Sequence, residues 1–140
     1  APGLEGKEDI YFSRREKMFV VGAAPEIKAS LASSYSVGSW ITALLLAYFG
    51  TVEVGTWSQL DDPYSPNQHY GPRVTADFNV GYKLAEGLEL SVGGTNVFDA
   101  IPSPQDPNET ENGALWENVQ MGINGAAFYA RLSYRLSGKR

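Results

Sequence analysis

From Pro25 onward, apolar and polar positions along the chain alternate mostly with a period of two. Ile27, Ala29, Leu31 and Tyr35 share one parity, and Glu26, Lys28, Ser30 and Ser34 share the other. In extended chain, successive side chains point to opposite faces, so this pattern predicts a strand with one apolar face. Ser36-Val37-Gly38-Ser39 reads as a tight turn. Trp40 opens a long strand with Trp40, Leu44, Leu46, Tyr48, Val52 and Val54 on one face. Its other face carries Ser39, Ala43, Ala47, Thr51, Glu53 and Gly55 together with Ile41, Leu45 and Phe49. Alternation is weak there, and the β-branched and aromatic residues, with Gly50 and Gly55, favour strand over helix.

A polar, Pro-rich loop over 58–72 precedes the clearest alternation. Val74, Ala76, Phe78, Val80, Tyr82 and Leu84 are interleaved with Thr75, Asp77, Asn79, Gly81 and Lys83. Ala85-Glu86-Gly87 is a short turn into Leu88, Leu90 and Val92, a strand leading on to Phe98. A second long loop, 99–125, holds Pro102, Pro104, Pro107 and Asn112-Gly113. The last strand sets Phe128, Ala130, Leu132, Tyr134 and Leu136 against Tyr129, Arg131, Ser133 and Arg135. Residues 1–25 show no sustained period and read mostly as an extracellular loop or linker, with Arg14-Arg15-Glu16-Lys17 as a solvated face. Residues 137–140 form a tail.

The fold class is therefore all-β: an antiparallel meander of about five long strands over 26–136. Three features favour a transmembrane barrel wall. A strand of about 12 residues covers roughly 40 Å, and tilted near 45° it rises about 28 Å, close to the hydrocarbon thickness of a bilayer. Short turns (36–39, 85–87) alternate with long loops (58–72, 99–125), as they do between the periplasmic and external ends of such barrels. Strand charges fall opposite the apolar parity, and Lys83, Glu89 and Arg131 are expected to pair across strands. A soluble or cell-surface β-sandwich that binds ligand through its loops is the alternative; it accounts for the alternation and acidity but less well for strand length.

Composition narrows the classes further. The chain has 140 residues, with 43% apolar and 19% charged, against about 25% charged in soluble domains. This apolar content excludes whole-chain disorder. A net charge of -5 argues against general nucleic-acid binding. The absence of Cys removes disulfides, thiolate zinc sites and cysteine nucleophiles. The longest apolar run, Ile41 to Phe49, is interrupted by Thr42 and falls short of the roughly 20 residues of a spanning helix, so any membrane contact is through strands. The start at Ala1-Pro2-Gly3-Leu4 suggests a removed leader or an internal fragment.

Leu88-Glu89-Leu90-Ser91-Val92-Gly93-Gly94-Thr95-Asn96-Val97-Phe98-Asp99, followed by Pro102, resembles the penultimate strand and Asn-Leu-Phe-Asp-x-x-Pro exit of TonB-dependent outer-membrane receptors. The Gly-rich lead Gly122-Ile123-Asn124-Gly125 into a Tyr-rich final strand is similar to that family's C-terminal end. So is Pro25-Glu26-Ile27-Lys28, with Tyr35, Gly38 and Gly50. The likeness covers roughly 24–136 and includes neither plug nor TonB box. It implies the C-terminal strands of a barrel of about 22 strands in a bacterial outer membrane. It also implies energised uptake of a siderophore, cobalamin or glycan, with partners in outer-membrane lipid, the remaining barrel and plug, and the TonB complex.

Candidate chemistry is sparse. Asn96, Phe98, Asp99 and Pro102 are structural-motif residues, with Asn96 and Asp99 organising the strand-to-loop exit. Tyr64 and Trp116 are the candidates for stacking on a small-molecule or glycan ligand. Trp57, Tyr64, Tyr70, Phe98 and Phe128 are expected in an interfacial aromatic belt. His69 reads as a solvent-exposed loop residue, and Asp61, Asp62, Asp106, Glu109 and Glu111 as solvated loop charge, without a calcium-loop spacing. Gly93-Gly94 reads as a strand kink. No nucleophile–base arrangement is apparent, so neither enzymatic activity, a cofactor nor a metal is expected.

Overall fold

The computed structural model describes residues 13–62 and 64–136, together with Gly3 and Gly6. The elements in chain order are helix α1 (Arg14–Gly22), strands β1 (Lys28–Val37), β2 (Trp40–Phe49) and β3 (Val52–Val54), a 3-10 turn (Trp57–Leu60), and strands β4 (Gln68–Tyr70), β5 (Arg73–Ala85), β6 (Leu88–Thr95) and β7 (Ala127–Tyr134). Among the described residues no helix is long and apolar enough to cross a membrane. The chain divides into two compact units, one of 1–28, 49–73 and 101–123, the other of 29–48, 74–100 and 124–140.

The second unit is built on a five-stranded sheet of order β1-β2-β5-β6-β7, open at β1 and β7. Gly38 and Ser39 make a two-residue turn between β1 and β2, and Glu86-Gly87 joins β5 to β6. Antiparallel pairing across β5, β6 and β7 stacks residues into rows. Phe78–Gly94–Phe128, Val80–Val92–Ala130 and Tyr82–Leu90–Leu132 are apolar rows, while Asn79–Gly93–Tyr129, Gly81–Ser91–Arg131 and Lys83–Glu89–Ser133 are the rows between them. The expected alternation therefore becomes an apolar face and a more polar face. Lys83 is paired in register with Glu89, whereas Arg131 stands opposite Ser91. On the apolar face, the Trp40 and Tyr82 rings meet at 4.7 Å.

Gly93-Gly94 is not a kink. Both residues hold continuous register with their neighbours, and the irregularity in this pair of strands lies between Lys83 and Ala85. The glycines make room instead. A Cβ on Gly93 would stand 2.5 Å from the Tyr129 ring and 2.7 Å from the Phe78 carbonyl oxygen. A Cβ on Gly94 would stand 2.8 Å from the Phe128 ring and 2.8 Å from Val97 Cγ1. β6 ends at Thr95 and does not run to Phe98, because Asn96 turns into the left-handed region (φ 46°).

The first unit departs from expectation in three places, one of them β4, a strand within the stretch 58–72 expected as loop. The single strand expected from Trp40 to Gly55 stops at Phe49. Gly50 N–H donates to the Ile27 carbonyl, and the chain resumes as β3, which pairs antiparallel with β4. Val52, Val54 and Tyr70 form the buried core, with Phe19, Ala23 and Val119 packed on it. Local alternation sees only parity, whereas this core draws Val52 and Val54 out of the long strand. The stretch expected as loop before Pro25 contains α1. Its start is a reciprocal cap: Glu16 N–H donates to Ser13 Oγ at 3.3 Å, and Ser13 N–H donates to Glu16 Oε2 at 2.6 Å.

Candidate functional site

In the first unit, segments 53–68 and 105–117 are held together by side chains that reach across the chain. Arg15 was expected in a solvated run, but it is only 8% exposed. Its guanidinium lies 3.6 Å from the Trp57 ring centre and 4.7 Å from that of Phe19, and Nη2 donates to Glu111 Oε1. The other charged residues of that run, Arg14, Glu16 and Lys17, are exposed. A flat, weakly hydrated guanidinium suits a site between two rings, which a strongly hydrated ammonium does not.

Tyr70 is not a free belt residue. Tyr70 is fully buried and donates its hydroxyl to Glu117 Oε2 at 2.9 Å, while Trp57 lies beneath Arg15. Burial, then the hydrogen bond and the charge of Glu117, push the Tyr70 phenol well above its usual range. The sign follows: the folded state keeps a proton that the unfolded chain releases near pH 10, so this contribution is present below about pH 10 and is lost as pH rises further. Tyr70→Phe is expected to flatten that alkaline loss. It should also cost about 1–3 kcal/mol near neutral pH by leaving Glu117 Oε2 without its donor, while Oε1 keeps the Glu111 N–H. Urea unfolding of both proteins at pH 7 and pH 10.5 measures both effects.

The same unit holds a pocket of about 260 Å³, lined by Thr56, Ser58, 65–68, Gln105, Asp106 and Glu109. Thr56 Oγ1 donates to the Pro66 carbonyl at 3.1 Å, and Gln59 Nε2 donates to the Ser65 carbonyl and Asn67 Oδ1, each at 2.8 Å. Ser58 donates both its N–H, at 3.0 Å, and its hydroxyl to the Glu109 carboxylate. The Ser58 hydroxyl and N–H hold the Glu109 carboxyl below the usual carboxylate range, so this tie is complete above that range and weakens as pH falls through it. Glu109 and Glu111 are thus structural ties, not loose solvated charge. Glu109 joins the two loops, and Glu111 pairs with Arg15. Asp62 Oδ1 accepts from Tyr64 N–H, and His69 Nδ1 lies 3.3 Å from Glu53 Oε1 with its side chain largely exposed. No grouping of three or more His, Asp or Glu suited to a metal occurs among the described residues.

The exit motif lies mainly in the second unit. Asn96 Nδ2 donates to the Ala100 carbonyl at 2.7 Å and the Asn124 carbonyl at 3.2 Å, while Oδ1 accepts from Ala100 N–H at 3.0 Å. Asp99, also left-handed (φ 53°), accepts Ala126 N–H on Oδ1 at 2.8 Å. These two short polar side chains tolerate the conformation and tie the β6 exit to the lead into β7. Phe98 is exposed, and Pro102 is fully buried in the first unit. Neither Tyr64 nor Trp116 lines the pocket, although Tyr64 immediately precedes Ser65 on its rim. Sequence reasoning did not single out Gln68, Gln105, Gln59 or Arg15. Only Ser13-x-x-Glu16 carried a local signal, the capping box that places Arg15 in the first turn of a helix. No known protein family, curated protein or solved structure matches the chain.

Proposed function

We propose that this chain is a segment of outer-membrane β-barrel wall, the C-terminal strands of a TonB-dependent receptor for energised uptake of a large nutrient. One observation carries the reading: much of the apolar face of the five-stranded sheet is uncovered, with Ala76 and Gly94 buried and Phe78 and Val80 half-buried. Val74, Tyr82, Leu90, Val92, Leu132 and Tyr134 are all exposed, the last two at 66%. A soluble monomer rarely presents a contiguous apolar patch beyond a few hundred Å², whereas lipid is the natural neighbour of such a face. The 13 residues of β5 extend about 43 Å, enough to cross a tilted bilayer path. The short turns, the long loop unit and the open edges at β1 and β7 suit a wall continued by further strands. In this role the chain supplies wall, lumen lining and outward loops. The plug and TonB partners belong to the rest of the receptor.

The test uses the absence of native cysteine. Single cysteines at 131, 132, 133 and 134 carry a nitroxide label on the chain reconstituted in phosphatidylcholine vesicles. Labels at 132 and 134 are expected to collide with oxygen dissolved in lipid and to be shielded from an aqueous nickel chelate. Labels at 131 and 133 should show the reverse. Equal aqueous access at all four positions, or a soluble monomer that ignores vesicles, overturns the reading.

A further inference from the structure

Whether or not the sheet lines a barrel, we infer that Asn112 is a site of spontaneous chemical modification, where the side-chain amide is exchanged for a carboxylate through a ring closed by Gly113. Asn-Gly occurs twice in the chain, at 112–113 and 124–125. The dipeptide is the same in both places, so a difference in reactivity comes from the fold. Residues 111–116 are all exposed. Gly113 sits at φ 67°, and a Cβ built on it would meet nothing within 4 Å. Asn112 Oδ1 accepts the Ala114 N–H at 3.0 Å, and Nδ2 donates to the Trp116 carbonyl at 3.2 Å. Both bonds lie at the surface, where water replaces them at little cost. The Asn124 side chain is exposed as well, but the backbone around it is pinned. Its carbonyl accepts from Asn96 Nδ2 at 3.2 Å, Ala126 N–H is held by Asp99 Oδ1 at 2.8 Å, and a Cβ on Gly125 would run into that same oxygen.

Ring closure requires the Asn112 backbone to turn until Gly113 N faces Cγ, and only a locally free backbone makes that turn. Glycine has no Cβ to block the approach and takes up a wide range of backbone angles. The Gly113 N–H gives its proton to hydroxide, and the nitrogen attacks Asn112 Cγ. The N–Cγ bond forms and the Cγ–Nδ2 bond breaks. Nδ2 leaves as ammonia with a proton from water, which restores the hydroxide. Water then adds to one of the two carbonyl carbons of the five-membered imide and cleaves its bond to nitrogen. Cleavage at Cγ leaves aspartate. Cleavage at the main-chain carbonyl leaves isoaspartate, whose backbone runs through the former side chain. Either product sets a carboxylate next to Glu111, the partner of buried Arg15, and loses the amide donor to Trp116.

The test incubates the full chain at pH 8 in oxygen-18 water, once folded in detergent micelles and once unfolded in urea. Each conversion takes up one oxygen from the water, and peptide mass spectrometry with electron-transfer fragmentation separates aspartate from isoaspartate. Folding is expected to slow conversion at 112 by less than about tenfold and conversion at 124 by about tenfold or more. Isoaspartate should form at 112, since opening of the ring is its only source. Gly113→Ala should slow the conversion at 112 in both states, because it adds a Cβ at the attacking residue. Slowing of tenfold or more at 112 on folding, slowing of less than tenfold at 124, aspartate as the sole product, or undiminished conversion in Gly113→Ala overturns the assignment.

Discussion

Gly93→Ala is expected to destabilise the sheet by about 1–3 kcal/mol, the usual penalty for forcing a methyl group into filled space, and Tyr129→Ala in the same chain does not restore it. A Cβ at Gly93 meets the Tyr129 ring at 2.5 Å, and that ring can swing aside. It also meets the Phe78 carbonyl oxygen at 2.7 Å, and that atom is fixed by the backbone of the neighbouring strand. Gly94→Ala supplies the contrast. The atoms nearest its new methyl belong to the side chains of Phe128 and Val97, so Phe128→Ala is expected to recover part of the loss, the Val97 contact remaining. Guanidinium unfolding of the four variants in detergent micelles, with unchanged slopes, separates the cases. Full rescue of Gly93→Ala by Tyr129→Ala would show that the ring alone demands the glycine. The two aromatics lie over glycines in adjacent rows, covering backbone that a glycine otherwise leaves bare.

Arg15→Met is expected to destabilise the loop unit by about 3 kcal/mol. Breaking a buried ion pair costs about 3–5 kcal/mol, and the half-exposed side chain of Glu111 places this pair at the lower end. Loss of the stack on Trp57 and Phe19 adds a cation–π contribution of about 1–2 kcal/mol, which packing of the Met side chain partly offsets. Arg15→Lys does not recover the loss, since an ammonium offers no plane to lay on Trp57. Glu111→Gln should fall between wild type and Arg15→Met, because it removes the charge and keeps the stack. Thermal unfolding followed by Trp57 emission in a Trp40→Phe, Trp116→Phe background reads the effect locally. A stability change in Arg15→Met below about 0.5 kcal/mol, within the range of an ordinary surface substitution, would show that the buried guanidinium is dispensable.

These two experiments probe different kinds of information. The glycine pair follows from strand register, of which only the facing is legible in sequence: Val80, Val92 and Ala130 each have the apolar parity of their strand, but which residue stands opposite which is set by the pairing. The role of the glycines was not legible. Nothing near Gly93 in sequence announces Tyr129, which lies on another strand after a long loop. The exit motif was legible as far as its chemistry is short-range: Asn96 holds Ala100, four residues on, while the ties of Asn96 to Asn124 and of Asp99 to Ala126 cross more than 25 residues. The pocket was not, since Gln68, Gln105 and Glu109 converge only after two polar loops have folded onto each other. A polar loop residue gives no local sign of which donor it will meet.

By itself the sequence determined most of β1, β2, β5, β6 and β7, their two faces, the turns at Gly38–Ser39 and Glu86–Gly87, and the turn that Asn96 makes with Ala100. Each of these depends on alternation or on contacts within a few residues. Only the tertiary structure decided that the long strand breaks after Phe49, that Tyr70 is buried against Glu117, and that Arg15 lies between two rings beside Glu111. The partners in the last pair are 96 residues apart. Burial of a charge or a phenol is settled by whichever group the rest of the chain brings to it, and residue type and local spacing carry no record of that meeting.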